Sequence, residues 1–257
     1  MPAQATNPTI DLIVLAGGRA RRLGGTLKPA VEVAGRTLLS RVLDARPLVR
    51  HVVIVGPDAA RAAVTPGRQA STNAPPAASS PLVWTLEDPP FGGPVAGIAA
   101  GLVALAARDE HPGDTEPTNH TEPTNHTGAR ADSPADWILL LACDLPWATD
   151  AAPLLIEAAC DPDLPPTIDG IHLVDETGHA QWLVAIYRRR GLAASVARLG
   201  TAVRDASMHA LLGGLGLRGL PDPAGTGRDV DTWQDIEDST IIFQRDQPAA
   251  TPQGGTP

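Results

Sequence analysis

DLIVLAGGRARRLGGTLK spans residues 11–28 and decides the fold that the sequence predicts. Residues 12–15 form a short apolar run, which is typical of a buried parallel strand. The run breaks at residues 16–18, Ala-Gly-Gly, where glycine lets the backbone turn sharply and lets a ligand approach main-chain N–H groups. Four basic residues follow: Arg19, Arg21, Arg22 and Lys28. This pattern favours a polyphosphate-binding loop, although spacing alone is equally compatible with a solvated surface loop.

Composition predicts one large globular domain with a sizeable core. The chain has 257 residues, of which 43% are hydrophobic but only 3% are aromatic, so the core must consist of Leu, Val, Ile and Ala. The formal charge of −9 argues against general nucleic-acid binding. One basic loop in an acidic chain instead favours a small anionic ligand.

Localisation is expected to be cytoplasmic, in a reducing environment. Cys143 and Cys160 make neither a disulfide framework nor a metal-binding motif, and Cys143 is expected to be a small buried filler. No apolar run approaches the roughly 20 residues that span a membrane. The N-terminus lacks the charged start and apolar centre of a signal peptide.

Strands and helices alternate along most of the chain, with one pair of consecutive strands near the end. Strands are predicted at about 11–15, 51–56, 82–86, 136–142, 170–174, 181–187 and 215–220. Helices are predicted at about 37–45, 95–107, 150–160, 188–198 and 201–212, with Thr37 as an N-cap. The turn signal after residue 174 makes strands 170–174 and 181–187 an antiparallel hairpin. We therefore expect a three-layer α/β domain with a mostly parallel sheet and a late hairpin.

Domain boundaries follow from polar, proline-containing stretches. The domain is expected to span 10–243, with a disordered N-terminus at 1–9 and a disordered tail at 244–257. Residues 65–81 are interpreted as a loose loop. Residues 108–134 contain TEPTNH twice in tandem and are interpreted as a disordered insertion, because they offer little apolar surface to bury. The paired histidines of the repeat leave metal binding as an alternative.

Asp144 is a candidate metal ligand. It follows residues 136–142, the most apolar strand of the chain and the expected centre of the sheet. Ligands of open α/β sheets lie beyond the carboxyl ends of the strands, where a carboxylate can bind a hard cation. The alternative is an aspartate that only caps the next helix.

Four motifs, in this order, resemble the nucleotidyltransferases related to MobA, the molybdenum cofactor guanylyltransferase. They are LAGGRARRLGG followed by Lys28, GGPVAG with Asp88 just upstream, ACDLP around Asp144, and RDVDTWQD, which contains Asp229 and Asp231. The resemblance covers nearly all of residues 11–240 and implies the Rossmann-like nucleotidyltransferase fold. The chain departs from the family in two places: Leu27 replaces the usual Asp, and Gln181-Trp182 replaces a His-Pro.

The resemblance also implies roles for individual residues. Backbone N–H groups would hold the base and phosphates of the nucleotide, at Leu15, Ala16, Gly17 and Gly18. Lys28 with Arg19 or Arg22 would neutralise the triphosphate, and Asp88 would touch the nucleoside. Asp144 and Asp231 would hold Mg²⁺, and Lys28, Asp144 and Arg22 would be the catalytic residues. Arg204, His172 and His179 are further candidates for contact with an anionic acceptor, or have no role.

By this resemblance, the enzyme would transfer GMP from GTP to the phosphate of molybdopterin and release pyrophosphate. Its partners would then be small molecules, with no nucleic acid and no membrane. Relatives that use CTP or other acceptors share the same loop, so another nucleotide or acceptor is an alternative. Leu27 and Gln181-Trp182 favour a second alternative, a catalytically reduced nucleotide-binding partner in cofactor handling. The oligomeric state is not predicted by the sequence.

Overall fold

The computed structural model describes residues 8–17, 24–64, 81–110 and 135–246. Within these residues the strands are β1 (Ile10–Leu15), β2 (Glu32–Val33), β3 (Arg36–Thr37), β4 (Val52–Val55), β5 (Val83–Thr85), β6 (Trp137–Ala142), β7 (Gly170–Val174), β8 (Ala180–Arg188) and β9 (Leu217–Pro221). The α-helices are α1 (Leu38–Val42), α2 (Gly93–Glu110), α3 (Ala148–Ala159), α4 (Arg189–Leu199), α5 (Met208–Leu212) and α6 (Trp233–Asp246). Short 3-10 helices lie at Lys28–Ala30, Leu43–Leu48, Asp58–Ala63 and Gly200–Val203.

Seven of these strands form one sheet in the order β5-β4-β1-β6-β8-β7-β9. Strands β5, β4, β1 and β6 are mutually parallel. Strand β8 runs antiparallel to β6 and to β7, and β7 is parallel to β9. The mostly parallel sheet with a late antiparallel hairpin is therefore confirmed. Strand β6 also lies at the centre of the sheet, where the sequence predicts it.

Helices cover both faces of the sheet, because every central strand is apolar on both sides. In β1, Leu12 and Val14 pack on the face covered by α1 and α3, while Ile13 packs on the face covered by α2, α4 and α5. Helix α2 comes closest, since a Cβ at Gly101 would lie 2.9 Å from side-chain atoms of Ile13. The small residues of α2 thus allow the close helix–sheet contact that makes the third layer.

A third, smaller core joins two distant parts of the chain. Val31, Val33 and Leu38, on and next to the β2-β3 hairpin, pack against Val230 and Ile236. This contact holds the turn that begins at Lys28 next to the loop that precedes α6.

A buried ion-pair network closes the amino edge of the sheet. Asp11 is fully buried and accepts from Arg50 at 3.1 Å through both of its oxygens. Asp109, near the end of α2, pairs with Arg50 at 3.2 Å and with Arg189 at 2.6 Å. Because a buried carboxylate is costly unless it is paired, the network ties β1, α2 and α4 to one another.

Two predicted helices are shorter than the sequence indicates. The stretch 37–45 forms the α-helix only to Val42 and then a 3-10 helix that contains Pro47, although Thr37 does cap α1, accepting from the Ser40 N–H at 3.2 Å. The stretch 201–212 divides at Asp205, whose φ of +57° interrupts the helix, and Ser207 starts α5.

Other predictions concern the ends and the loops. Helix α2 continues to Glu110, past its predicted end, and α6 extends to Asp246, past the predicted end of the domain at 243. Most of the segments predicted to be disordered, at 1–9, 108–134 and 244–257, and most of the predicted loose loop at 65–81 lie outside the described residues. Among the helices that are described, none is both long and apolar enough to cross a bilayer.

Candidate functional site

The carboxyl ends of β1 and β6 lie side by side and open a site at one edge of the sheet. Leu15 pairs with Ala142 in the parallel register, so the chain leaves the sheet at Ala16 and at Cys143 together. The Cys143 N–H donates to the Leu15 carbonyl at 3.0 Å. A Cβ at Gly56, after β4, would lie 2.8 Å from the Ala16 carbonyl oxygen. Glycine at position 56 therefore lets the neighbouring strand end come equally close.

A cavity of about 760 Å³ lies at this edge. It is lined by Leu15, Gly17 and Asp144, and by Glu87 and Phe91 from the turn before α2. Binding sites for small molecules and cofactors have volumes of roughly 300–1,000 Å³. The cavity is thus large enough for a nucleotide.

Lys28 is held next to the cavity by its own short turn. The Ala30 N–H donates to the Leu27 carbonyl at 2.9 Å, and the Val31 N–H donates to the Lys28 carbonyl at 3.1 Å. Pro29, inside this turn, is buried. Backbone bonds therefore close the turn, and the acid that the resemblance leads one to expect in place of Leu27 is not needed for it to form.

The Lys28 ammonium bridges two aspartates that are far apart in sequence. Its Nζ lies 2.5 Å from Asp144 Oδ2 and 2.5 Å from Asp231 Oδ1. The side chains of Lys28 and Asp144 are only 14% and 16% exposed, so water screens this pair weakly. Burial by itself would lower the pKa of Lys28, but the two carboxylates outweigh burial and raise it, which keeps the ammonium charged.

Three carboxylates surround this point. One oxygen each from Asp144, Asp229 and Asp231 lie within 4.8 Å of one another. The other oxygen of Asp144, Oδ1, is buried and has no hydrogen-bond partner among the described residues. Asp229 is exposed as a residue, yet desolvation of its carboxyl group and the charges of Asp144 and Asp231 raise its pKa. Acidic oxygens that converge in this way are the ligands that a hard cation such as Mg²⁺ prefers.

Local hydrogen bonds fix the acidic loop. The Val230 N–H donates to the Asp144 carbonyl at 3.0 Å, which docks this loop on the end of β6. Asp235 Oδ2 accepts from the N–H groups of Asp231 and Thr232, and Thr232 Oγ1 accepts from the Asp235 N–H. Together these bonds form a capping-box start of α6, and they orient Asp231.

The turn before α2 forms the rim of the cavity. Glu87 Oε1 accepts from the Phe91 N–H at 3.0 Å. Arg204 Nη1 donates to the Pro89 carbonyl at 3.0 Å, and the Asp205 N–H donates to the Gly92 carbonyl at 2.7 Å. The sequence does not single out Glu87 and does not predict this clamp, because the contact joins loops 115 residues apart.

The predicted site residues divide into four groups. Leu15, Gly17 and Asp144 line the cavity, and Lys28 and Asp231 contact Asp144 or its partner lysine. Asp88 is exposed, and its neighbour Glu87 lines the cavity. Gly18, Arg19 and Arg22 lie outside the described residues, so their predicted roles stay predictions. Asp229 is an additional acidic group that the sequence indicates only through its Asp-x-Asp spacing with Asp231.

The histidines of the hairpin have structural contacts. His172 is buried and its ring lies 4.4 Å from that of Trp182, and burial lowers its pKa. His179 is exposed and bonds with Thr177 in the turn of the hairpin. Cys143 is buried in the core, and burial raises the pKa of its thiol, so it is the unreactive filler that the sequence predicts.

A model of the MobA-like NTP transferase domain family matches residues 12–216. Asp229 and Asp231 lie beyond this matched range. The curated molybdenum cofactor guanylyltransferase of Rhodopseudomonas palustris (strain BisB5) is 40% identical over 105 residues, which are 40% of this chain and 43% of that protein. The enzyme of the same name from Bradyrhizobium sp. (strain ORS 278) is 36% identical over 107 residues, with the same coverage. The matched part is thus less than half the length of either curated relative.

Solved structures share the fold at low sequence identity. Molybdopterin-guanine dinucleotide biosynthesis protein A from Archaeoglobus fulgidus has a TM-score of 0.57 and 17% identity, covering 91% of this chain and 99% of its own. A 4-diphosphocytidyl-2C-methyl-D-erythritol synthase from Anaerococcus prevotii has a TM-score of 0.56 and 11% identity, covering 93% and 100%. At these identities the likeness establishes the fold alone.

Proposed function

Since this chain belongs to the MobA-like NTP transferase domain family, we propose that it is a Mg²⁺-dependent nucleotidyltransferase that transfers GMP from GTP to the phosphate of molybdopterin. The observation that carries the proposal is the meeting of Lys28 with Asp144 and Asp231 at the edge of a nucleotide-sized cavity. Cationic and acidic groups side by side are what a triphosphate and its metal ion together need.

The cavity would hold the nucleoside and the glycine turn its phosphates. Gly17 has open space where a side chain would begin. Among the described residues other than its chain neighbours, no heavy atom lies within 4 Å of the position that a Cβ of Gly17 would take. A phosphate can therefore approach the backbone closely there. The predicted contacts of Gly18, Arg19, Arg22 and Asp88 with the nucleotide belong to this proposal. Ala16 is left out, because its N–H already donates to the Val55 carbonyl at 2.8 Å.

The acidic group fits Mg²⁺. Mg²⁺ is usually bound by one or two carboxylates together with substrate phosphates and water, and Asp144 and Asp231 would be those carboxylates. Bound there, the ion would supply Lewis-acid stabilisation and a template for the phosphates. Asp229 adds negative charge beside them, and the unpartnered Oδ1 of Asp144 supports the assignment.

The protein contributes little covalent chemistry to the proposed transfer. A phosphate oxygen of the acceptor forms a bond to the α-phosphorus, the bond from this phosphorus to the bridging oxygen of the β-phosphate breaks, and pyrophosphate leaves. No general base is needed, because a phosphate monoester is already ionised at neutral pH. The residues of this chain therefore act by orienting the two substrates and by neutralising charge.

Two alternatives have specific support. The same fold occurs in a structure named 2-C-methyl-D-erythritol 4-phosphate cytidylyltransferase, so CTP is a competing donor. Leu27 and Gln181-Trp182 favour a catalytically reduced nucleotide-binding partner. The geometry weakens the argument from Leu27, since the turn that presents Lys28 closes without an acid at position 27.

Pyrophosphate release tests these alternatives. The protein is incubated with Mg²⁺, molybdopterin and each of GTP, CTP, ATP and UTP, and binding of each nucleotide is measured in parallel. Release with GTP alone is the expected result. Release with CTP would change the donor, and tight nucleotide binding without any release would establish the binding partner instead.

A further inference from the structure

Lys28 is the only lysine in the sequence, since the other basic side chains are all arginines. Its ammonium contacts Asp144 and Asp231, two residues 87 positions apart, at the point where the acidic oxygens converge. Resting on the function proposed above, we propose that Lys28 is a resident counter-ion: it occupies the cation position in the metal-free protein and is displaced when a divalent cation binds.

The argument begins with the shared oxygens. Asp144 Oδ2 and Asp231 Oδ1 are the atoms that the ammonium contacts. A divalent ion held by both carboxylates needs oxygens at about 2.0–2.1 Å, closer than an ammonium approaches. A metal between these carboxylates would then lie next to a positive charge in a half-buried site, where repulsion is screened only weakly. The two cations therefore compete for one position.

The chemistry of lysine suits this exchange. An ammonium is a compact charge on a flexible stem with three rotatable donors, whereas a guanidinium fork holds a carboxylate bidentately. Lys28 can change partners without a change in the turn that carries it, because backbone bonds and the buried Pro29 hold that turn. The one lysine of the chain thus lies at the position where one cation must be displaced by another.

Metal and nucleotide binding become coupled as a result. A divalent ion that takes the carboxylates releases the ammonium, and a triphosphate in the adjoining cavity offers the released ammonium new anionic partners. By thermodynamic linkage, the factor by which a bound nucleotide raises the affinity for the metal ion equals the factor by which a bound metal ion raises the affinity for the nucleotide. This coupling adds to the direct attraction between the metal ion and the phosphates.

Binding of Mn²⁺ alone, followed by electron paramagnetic resonance, tests the competition without turnover. Lys28→Gln removes the competing charge, so we expect it to bind Mn²⁺ about 10-fold more tightly than the unmodified chain. Lys28→Arg keeps the charge and is expected to bind Mn²⁺ as weakly as the unmodified chain. Asp144→Asn should lose the binding. Equal or weaker binding by Lys28→Gln would overturn the proposal.

The outcomes separate this inference from the proposed function. If Asp144→Asn abolishes Mn²⁺ binding but Lys28→Gln leaves it unchanged, the counter-ion role is refuted and the metal site is supported. If no Mn²⁺ binding depends on Asp144, both fail.

A measurement on the unmodified sequence avoids any folding defect of the variants. Protein grown with lysine labelled with ¹³C at Cε gives one lysine signal, because the chain has one lysine. Addition of Mg²⁺ alone should shift this signal, and the shift should persist in Asp150→Asn, which removes an exposed carboxylate on α3. A separate competition with bound Mn²⁺ shows whether Mg²⁺ binds. If Mg²⁺ displaces Mn²⁺ but leaves the lysine ¹³C signal unshifted, the proposal is also overturned.

Discussion

Asp144 is the residue on which the proposed chemistry most depends. Asp144→Asn keeps the shape of the side chain but removes its charge, so we expect pyrophosphate release to fall by at least about 100-fold. Thermal unfolding should stay close to that of the unmodified protein, since the Val230 N–H bonds to the main chain of Asp144. Asp150→Asn is the matched control and should leave release unchanged. Release by Asp144→Asn at the unmodified rate would contradict the metal assignment.

Lys28 should affect nucleotide affinity in the direction opposite to its effect on metal affinity. At saturating Mg²⁺, Lys28→Gln loses a charge-assisted contact with phosphate, worth about 1.5–3 kcal/mol. Calorimetry should then show GTP binding weaker by about 10- to 100-fold. Lys28→Arg should retain most of the affinity. An unchanged affinity of Lys28→Gln for GTP would count against the phosphate contact.

His172 should make stability depend on pH. Burial lowers its pKa in the folded state below the ordinary 6.5. Above this ordinary value the ring is neutral in both states, and the full stability is present. As pH falls below it, the unfolded chain takes up the proton first, so stability is lost until the folded pKa is also passed. Urea unfolding at about pH 7.5 and pH 5.5 should show this loss.

The matched variants for this measurement are His172→Gln and His179→Gln. The loss of stability on acidification should be smaller in His172→Gln, whereas the variant at the exposed His179 should behave like the unmodified chain. If His172→Gln shows the same acid sensitivity, the buried imidazole is not its source.

At the scale of elements, α2 depends on its small residues. Gly101 lies where a Cβ would be 2.9 Å from side-chain atoms of Ile13. Gly101→Val forces α2 away from β1 and should lower the free energy of unfolding by about 1–3 kcal/mol. Ala106→Val, on the exposed face of the same helix, controls for helix propensity and should cost only about 0.5 kcal/mol. Similar losses in denaturant titrations would show that the close contact is unimportant.

Much of this layout could be predicted because burial on both faces makes a parallel strand recognisable. Apolar runs mark β1, β4 and β6, and parallel strand ends share one edge, so Gly17 and Asp144 could be brought together in advance. The interruption at Asp205 and the 3-10 helix around Pro47 could not be predicted. In both places the sequence has a helical pattern, and tertiary contacts override it. Glu87 and the Arg204 clamp escaped prediction for the same reason: each depends on how one loop meets another.

At the scale of the whole molecule, the described residues on either side of the insertion lie at the edge of the sheet opposite the site. Helix α2 begins at the cavity and ends at the opposite edge, where Asp109 joins the ion-pair network. Asp136, the second described residue after the insertion, bonds to Thr9 at that same edge. Replacing residues 111–134 by a short Gly-Ser linker should therefore leave both the melting temperature and pyrophosphate release unchanged. A loss of release with an unchanged melting temperature would assign the repeat a functional role.

The bond between the Val230 N–H and the Asp144 carbonyl has a consequence for biosynthesis. During translation, the glycine turn and Asp144 leave the ribosome well before Asp231, so a growing chain holds half of its acidic pair and a lysine with one counter-charge. Full capture of metal must wait until the C-terminal segment has emerged and docked. On the proposed function, the complete acidic pair would thus exist only in the finished molecule, and fragments truncated before residue 229 would lack one of the two carboxylates proposed to hold the metal ion.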